Sequence, residues 1–236
     1  MATRSRVLVS SALAAFALGA VCATDSAHAA FVTPSAGDAR FGWSRNDANS
    51  TYQEWNTFSD EQGSPGNAPD VGSFNPNGAA NLQQTESGAF LTSGGNIYSP
   101  TVATKFVVDV PDYDLADADS SVVVAQFRTL GTEPAYDGIT LTPDGGTAIS
   151  PTSTQELDRV ALGGFGGTQV DYLARWVVPG NADGYTLNFA ASESSMSLDR
   201  IAIDTFATVP EPASLASIAV AGGLLLRRRT VARSSR

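Results

Sequence analysis

The chain has 236 residues, with 14 Lys and Arg against 24 Asp and Glu, a formal net charge of −10, one cysteine and one histidine. An acidic surface repels nucleic acid and anionic membranes, which removes nucleic acid as a partner. A single cysteine excludes an internal disulfide framework, and so few soft ligands exclude the usual Cys and His sets of structural zinc.

In chain order, Arg4 and Arg6 precede an apolar stretch at 7–21, and Ala27-His28-Ala29 supplies the small-x-small pattern of a cleavage site. Charged start, apolar middle and small residues before the cut are the three parts of a secretory signal peptide, placed at 1–29 with Ala27 and Ala29 at the cleavage point. Cys22 sits near a lipobox-like Leu18-Gly19-Ala20-Val21 run displaced by one residue, and acylation there would compete with the later site. Cleavage after Ala29 takes Cys22 and His28 away. The remaining body then has neither thiol nor imidazole, which rules out Cys nucleophiles and Ser-His-Asp triads. Between residues 30 and 208 stand 7 basic and 22 acidic residues, a net charge of −15.

Residues 30–208 are long enough for one domain with a sizeable core. The stretch 36–96 is dominated by Gly, Asn, Ser, Asp and Pro and carries Phe41, Trp43, Tyr52, Trp55, Phe58, Phe74 and Phe90. Its composition predicts long ordered loops. Trp43, Tyr52 and Trp55, interleaved with Arg45, Asn46, Asp47, Asn49 and Glu54, admit two readings. They form a sugar-stacking platform with polar groups for hydroxyls, or they cap the core as large rings usually do.

Beyond this stretch, runs rich in Val, Ile, Thr and aromatics predict strands at 102–110, 121–130, 138–142, 157–163, 169–178, 185–190 and 197–206. Pro111-Asp112, Pro143-Asp144-Gly145-Gly146, the glycines at 163–167 and Pro179-Gly180-Asn181 punctuate them. Such spacing without a long helical pattern indicates an all-β antiparallel two-sheet sandwich, jelly-roll-like. A β-helix would need a fixed short repeat, and none is visible. The strand at 197–204 resembles the closing strand of carbohydrate-binding jelly rolls, a likeness of about eight residues.

Asp109, Asp112, Asp114, Asp117 and Asp119 form the densest acidic cluster. It offers oxygen ligands for a structural calcium, the only cofactor the sequence suggests, or else a solvated turn whose charges keep strands apart. Glycoside hydrolysis needs only two carboxylates, and Glu54, Glu86, Glu133, Glu156 and Glu193 are candidates with no spacing that pairs two of them. Thr140-x-Thr142 alone gives no flat threonine array of the kind ice binding wants.

The last segment, 209–236, begins with Val209-Pro210-Glu211-Pro212, continues as a largely apolar run of 14 residues at 213–226, and then carries Arg227-Arg228-Arg229. The prolines fix φ and remove donors, which sets the segment apart from the body. As a helix the apolar run is about 21 Å long at ~1.5 Å per residue, short for a bilayer core of ~30 Å. Snorkelling arginines extend such a span at its cytoplasmic end.

These three parts, in this order at the C-terminus, resemble the sorting signal of the PEP-CTERM proteins of Gram-negative bacteria. The resemblance covers about an eighth of the chain and implies recognition of Val209, Pro210, Glu211, Pro212 and Arg227, Arg228, Arg229 by exosortase, a membrane transpeptidase-like enzyme. It implies nothing about the body, since bodies in this class are diverse. The expectation is an exported, noncatalytic surface or extracellular-matrix protein with a structural or adhesive role. Signal peptidase and exosortase would be its processing partners, the inner membrane its transient anchor and exopolysaccharide its surroundings. The alternatives are a lectin using the Trp43 to Trp55 rings, and a glycan-active hydrolase.

Overall fold

Short β-branched and aromatic runs broken by Gly, Pro and Asp cannot propagate a helix but pair readily as pleated strands. The computed structural model describes residues 31–72, 78–164 and 166–210. These hold β1 (Ser50–Trp55), β2 (Val71–Gly72), β3 (Asn81–Gln84), β4 (Phe90–Leu91), β5 (Ile97–Tyr98), β6 (Lys105–Pro111) and β7 (Ser120–Gly131). A 3₁₀ turn at Tyr136–Gly138 precedes β8 (Thr140–Pro143), β9 (Ser153–Ala161), β10 (Thr168–Pro179), β11 (Gly184–Ala190) and β12 (Met196–Thr208). The signal peptide expected at 1–29 and all of the expected sorting tail at 209–236 except Val209 and Pro210 lie outside the described residues.

Every pairing among the described residues is antiparallel. The larger sheet runs β2-β1-β12-β7-β10-β9, with β5 joining β12 and β4 joining β5; the smaller runs β3-β6-β11-β8. Trp55, Phe127, Trp176, Ile201 and Ile203 of the larger sheet share one core with Leu82, Phe106, Val108, Leu141, Leu187 and Phe189 of the smaller. Phe189 stacks on Phe106 at 4.7 Å and meets Phe127 edge-on at 4.8 Å, so a single ring bridges both sheets. Burying each such side chain contributes about 1.5 to 3 kcal/mol, which makes this shared layer the main source of stability.

The seven strands expected between 102 and 206 coincide with β6 to β12 within a few residues. The loop expectation for 36–96 needs correction, because this stretch contributes β1 to β4, with β5 directly after it. β1 escaped notice because Ser50, Thr51, Tyr52, Gln53, Glu54 and Trp55 are all buried, leaving no polar-apolar alternation to read.

Both faces of β1 are covered because residues 31–49 lie across the outer face of the larger sheet. Phe41 and Trp43 pack there on Val122, Val124 and Leu173, while Phe31 packs on Tyr52 and Ala202. Trp43 stacks on Phe206 with centroids 5.3 Å apart. The fully buried Gln126 of β7 pins the start of this cover. Its Oε1 accepts from the Val32 backbone N at 2.7 Å, and its Nε2 donates to the Val32 carbonyl at 2.9 Å.

Gly131 closes β7 at φ +88°, where a Cβ would stand 2.3 Å from the Ser195 carbonyl oxygen. No other residue fits that crossing of β7, β10 and β12.

Candidate functional site

Alternation along the central strands sends Glu54, Arg128, Asp171, Arg200 and Asp204 to the outer face, where residues 31–49 seal them in. Burying a carboxylate is costly unless a cation and hydrogen bonds replace its water. Arg45 reaches from the cover to fork onto Asp204, with Nε to Oδ1 and Nη2 to Oδ2 both at 2.8 Å. Arg128 forks onto Asp171 at 2.7 and 2.6 Å, and Arg200 Nε donates to Glu54 at 2.6 Å. Burial pushes the Asp204 carboxyl up to about 6, and the Arg45 contact only partly offsets it. The arginine faces are used as well, Arg45 over Tyr52 at 3.4 Å and Arg200 over Phe31 at 4.5 Å.

The structure corrects the sugar platform expected of Trp43, Tyr52 and Trp55. Trp43 is 1% exposed, Tyr52 8% and Trp55 0%, so none offers a face to a pyranose. Trp43 and Tyr52 belong to the sealed outer face, whereas Trp55 lies in the inner core and donates Nε1 to the Asn67 carbonyl at 2.8 Å.

The acidic run does not converge either. Asp109 is exposed on β6, Asp114, Asp117 and Asp119 are exposed beyond it, and Asp112 turns inward. Asp112 accepts from the Tyr113 backbone N at 2.9 Å and from Asn181 Nδ2 at 3.0 Å. Burial pushes its carboxyl up to about 6. Among the described residues no group of three or more Asp, Glu, His or Cys can hold a metal, which corrects the calcium geometry expected of this run.

Of the five glutamates, Glu133 and Glu156 are brought together, both clasping Arg159, at 2.5 and 2.7 Å. Arg159 and the Tyr136 hydroxyl hold the Glu133 carboxyl down to about 2. A group so readily ionised makes a poor general acid near neutral pH, and that is the role a glycosidase pair requires. Glu54 is paired with Arg200 and Glu86 with Lys105, while Glu193 is exposed.

Sequence reasoning missed an open groove of about 420 Å³ between the cover and the edge of the larger sheet, lined by Arg40, Ser153, Thr154, Gln155, Leu173 and Arg175. The β9/β10 register sets Ser153 opposite Arg175 and Gln155 opposite Leu173. Arg40 is held by Asp38, and its backbone carbonyl accepts from Arg175 Nε at 2.9 Å. The available signal was Gln169, Asp171, Leu173 and Arg175 alternating along β10, legible as one face but not as a groove wall.

The sequence matches no family model and no curated protein. Among solved structures it is similar to the enzymatically active domain of tailspike protein 4 of bacteriophage CBA120, at 16% identity and a TM-score of 0.23. That likeness covers 75% of this chain and 21% of the tailspike chain, and it is too slight to carry an argument.

At the other end of the body, Val209 and Pro210 are exposed just past β12. Ala27, Ala29, Glu211, Pro212, Arg227, Arg228 and Arg229 lie outside the described residues. No helix among the described residues is long and apolar enough to cross a membrane.

Proposed function

We propose that this protein is an exported, noncatalytic surface or extracellular-matrix protein, a jelly-roll sandwich delivered by its C-terminal PEP-CTERM-like signal. The observation that carries the reading is the coincidence of two addresses at opposite ends, the signal peptide at 1–29 and the Val209-Pro210-Glu211-Pro212, apolar, triple-arginine order of the tail. The body supports it in three ways. β12 ends at Thr208, directly ahead of the Val209-Pro210 start of the tail that this reading makes a sorting signal. The adjacency β1-β12-β7-β10 facing β6-β11-β8 is the strand order of a jelly roll, with β9 moved to the larger sheet. The glutamates closest to a catalytic arrangement are spent on ion pairs, consistent with a structural or adhesive role.

Replacing Val209, Pro210, Glu211 and Pro212 together by alanine tests the tail. The variant is expected to stay in the membrane fraction with its tail attached, while the natural chain leaves that fraction without it. Identical distribution and identical C-termini for both chains would overturn the sorting role.

A further inference from the structure

In a body carrying 7 cations and 22 carboxylates, every cation has the chance to be neutralised, and six take it. Arg40 pairs with Asp38, Arg45 with Asp204, Lys105 with Glu86, Arg128 with Asp171, Arg159 with Glu133 and Glu156, and Arg200 with Glu54. Arg175 is the seventh, and among the described residues no carboxylate lies within ion-pair reach of it. It is also the cation that lines the groove.

Its placement is fixed rather than loose. The bond from Nε to the Arg40 carbonyl, 2.9 Å long, locks the guanidinium against the cover and leaves both Nη groups without a partner among the described residues. Two parallel N–H donors on a planar, permanently charged group are the geometry that forks onto a carboxylate. Around it, Ser153 and Gln155 are exposed, uncharged and two residues apart on one face of the strand, supplying a hydroxyl and an amide, while Thr154 between them pairs with Ala174 on the other face. Since Asp38 neutralises Arg40, the groove carries one net positive charge, enough for one carboxylate.

We propose that this groove binds a carboxylate-bearing saccharide, with Arg175 as the anchor for the acid group and Ser153 and Gln155 as partners for its hydroxyls. The proposal rests on the export reading, because such polymers are met outside the cell. A saccharide fits better than an acidic peptide, since a ring with many hydroxyls matches hydroxyl and amide walls. A peptide would want apolar side-chain pockets, and the groove's one apolar side chain, Leu173, is only 2% exposed. The net charge of −15 repels polyanions at long range, so contact has to be made at salt that screens beyond about 8 Å.

The test is titration calorimetry of the exported protein at about 0.15 M salt, with a short oligogalacturonate, the matching neutral galacto-oligosaccharide and an oligoglutamate as probes. Saturable binding of the oligogalacturonate is expected, at least tenfold weaker for the neutral sugar and for oligoglutamate. Arg175→Ala should weaken it at least tenfold. Gln155→Glu, which places a carboxylate on the groove wall at an exposed position, should do the same with an unchanged melting temperature, and it decides the matter if the arginine variant folds poorly. Absent oligogalacturonate binding, equal binding of oligoglutamate, or full binding by Gln155→Glu would each overturn the proposal. Those results leave the export reading standing, because that reading is judged by the termini of the native protein and not by its ligands.

Discussion

Asp112 is fully buried, and its hydrogen-bond partners are neutral donors, the Tyr113 backbone and Asn181. Burial therefore penalises its ionised form and raises the carboxyl to about 6 in the fold. In the unfolded chain the same group titrates near 4. With the folded value the higher one, the native state holds the proton more tightly. The stabilising contribution is complete below pH ~4 and is lost as pH rises to ~6, an effect of about 3 kcal/mol for a shift of this size. Unfolding free energy measured by urea titration is expected to fall across that window. Asp112→Asn is expected to flatten the slope while lowering overall stability, since one amide then faces the Asn181 amide. An unchanged slope in the variant would show that other carboxyls set the pH response. Asp204 acts with the same sign, whereas Glu133, held down by Arg159, acts with the opposite sign and at lower pH.

At the scale of the element, residues 31–49 are what distinguish this sandwich from a simple pair of sheets. They convert the outer face of the larger sheet from a solvent face into a second, ion-paired interior, and Gln126 is the clamp that starts them. Gln126→Leu leaves the Val32 N–H and carbonyl without partners, at a cost of about 2 to 4 kcal/mol if they stay buried. The expected outcome is reduced stability together with rapid protease cleavage within 31–49. Protection of that segment equal to the natural chain would contradict the clamp. The same element explains what was legible in the sequence. β6 to β12 showed themselves through β-branched runs and turn residues, because those signals are local. The ladder Arg45 to Asp204 or Glu54 to Arg200 joins residues 159 and 146 positions apart, and no local pattern encodes such a pairing. The Trp43, Tyr52 and Trp55 rings carried the composition of a binding surface, yet of the acids interleaved with them Glu54 serves Arg200 and Asp47 accepts from the Ser44 backbone N. Arg175 looked like any other polar strand residue until its neighbours showed that, among the described cations, it alone lacked a carboxylate.

Over the whole molecule, a strongly acidic surface disfavours self-association of the sandwich. The exposed edge strand β9 is blunted by Glu156, Asp158, Arg159 and an irregularity in its register beside Asp171. The body is thus built to resist sheet-to-sheet association, and the proposed sorting role rests on the ends of the chain. The central claim is that both ends are removed after serving as addresses. Mass spectrometry of the protein recovered from its host outside the cytoplasm is predicted to find an N-terminus at Ala30 and a C-terminus short of the Arg227 cluster. An intact chain running from Met1 to Arg236 inside the cell would contradict the account.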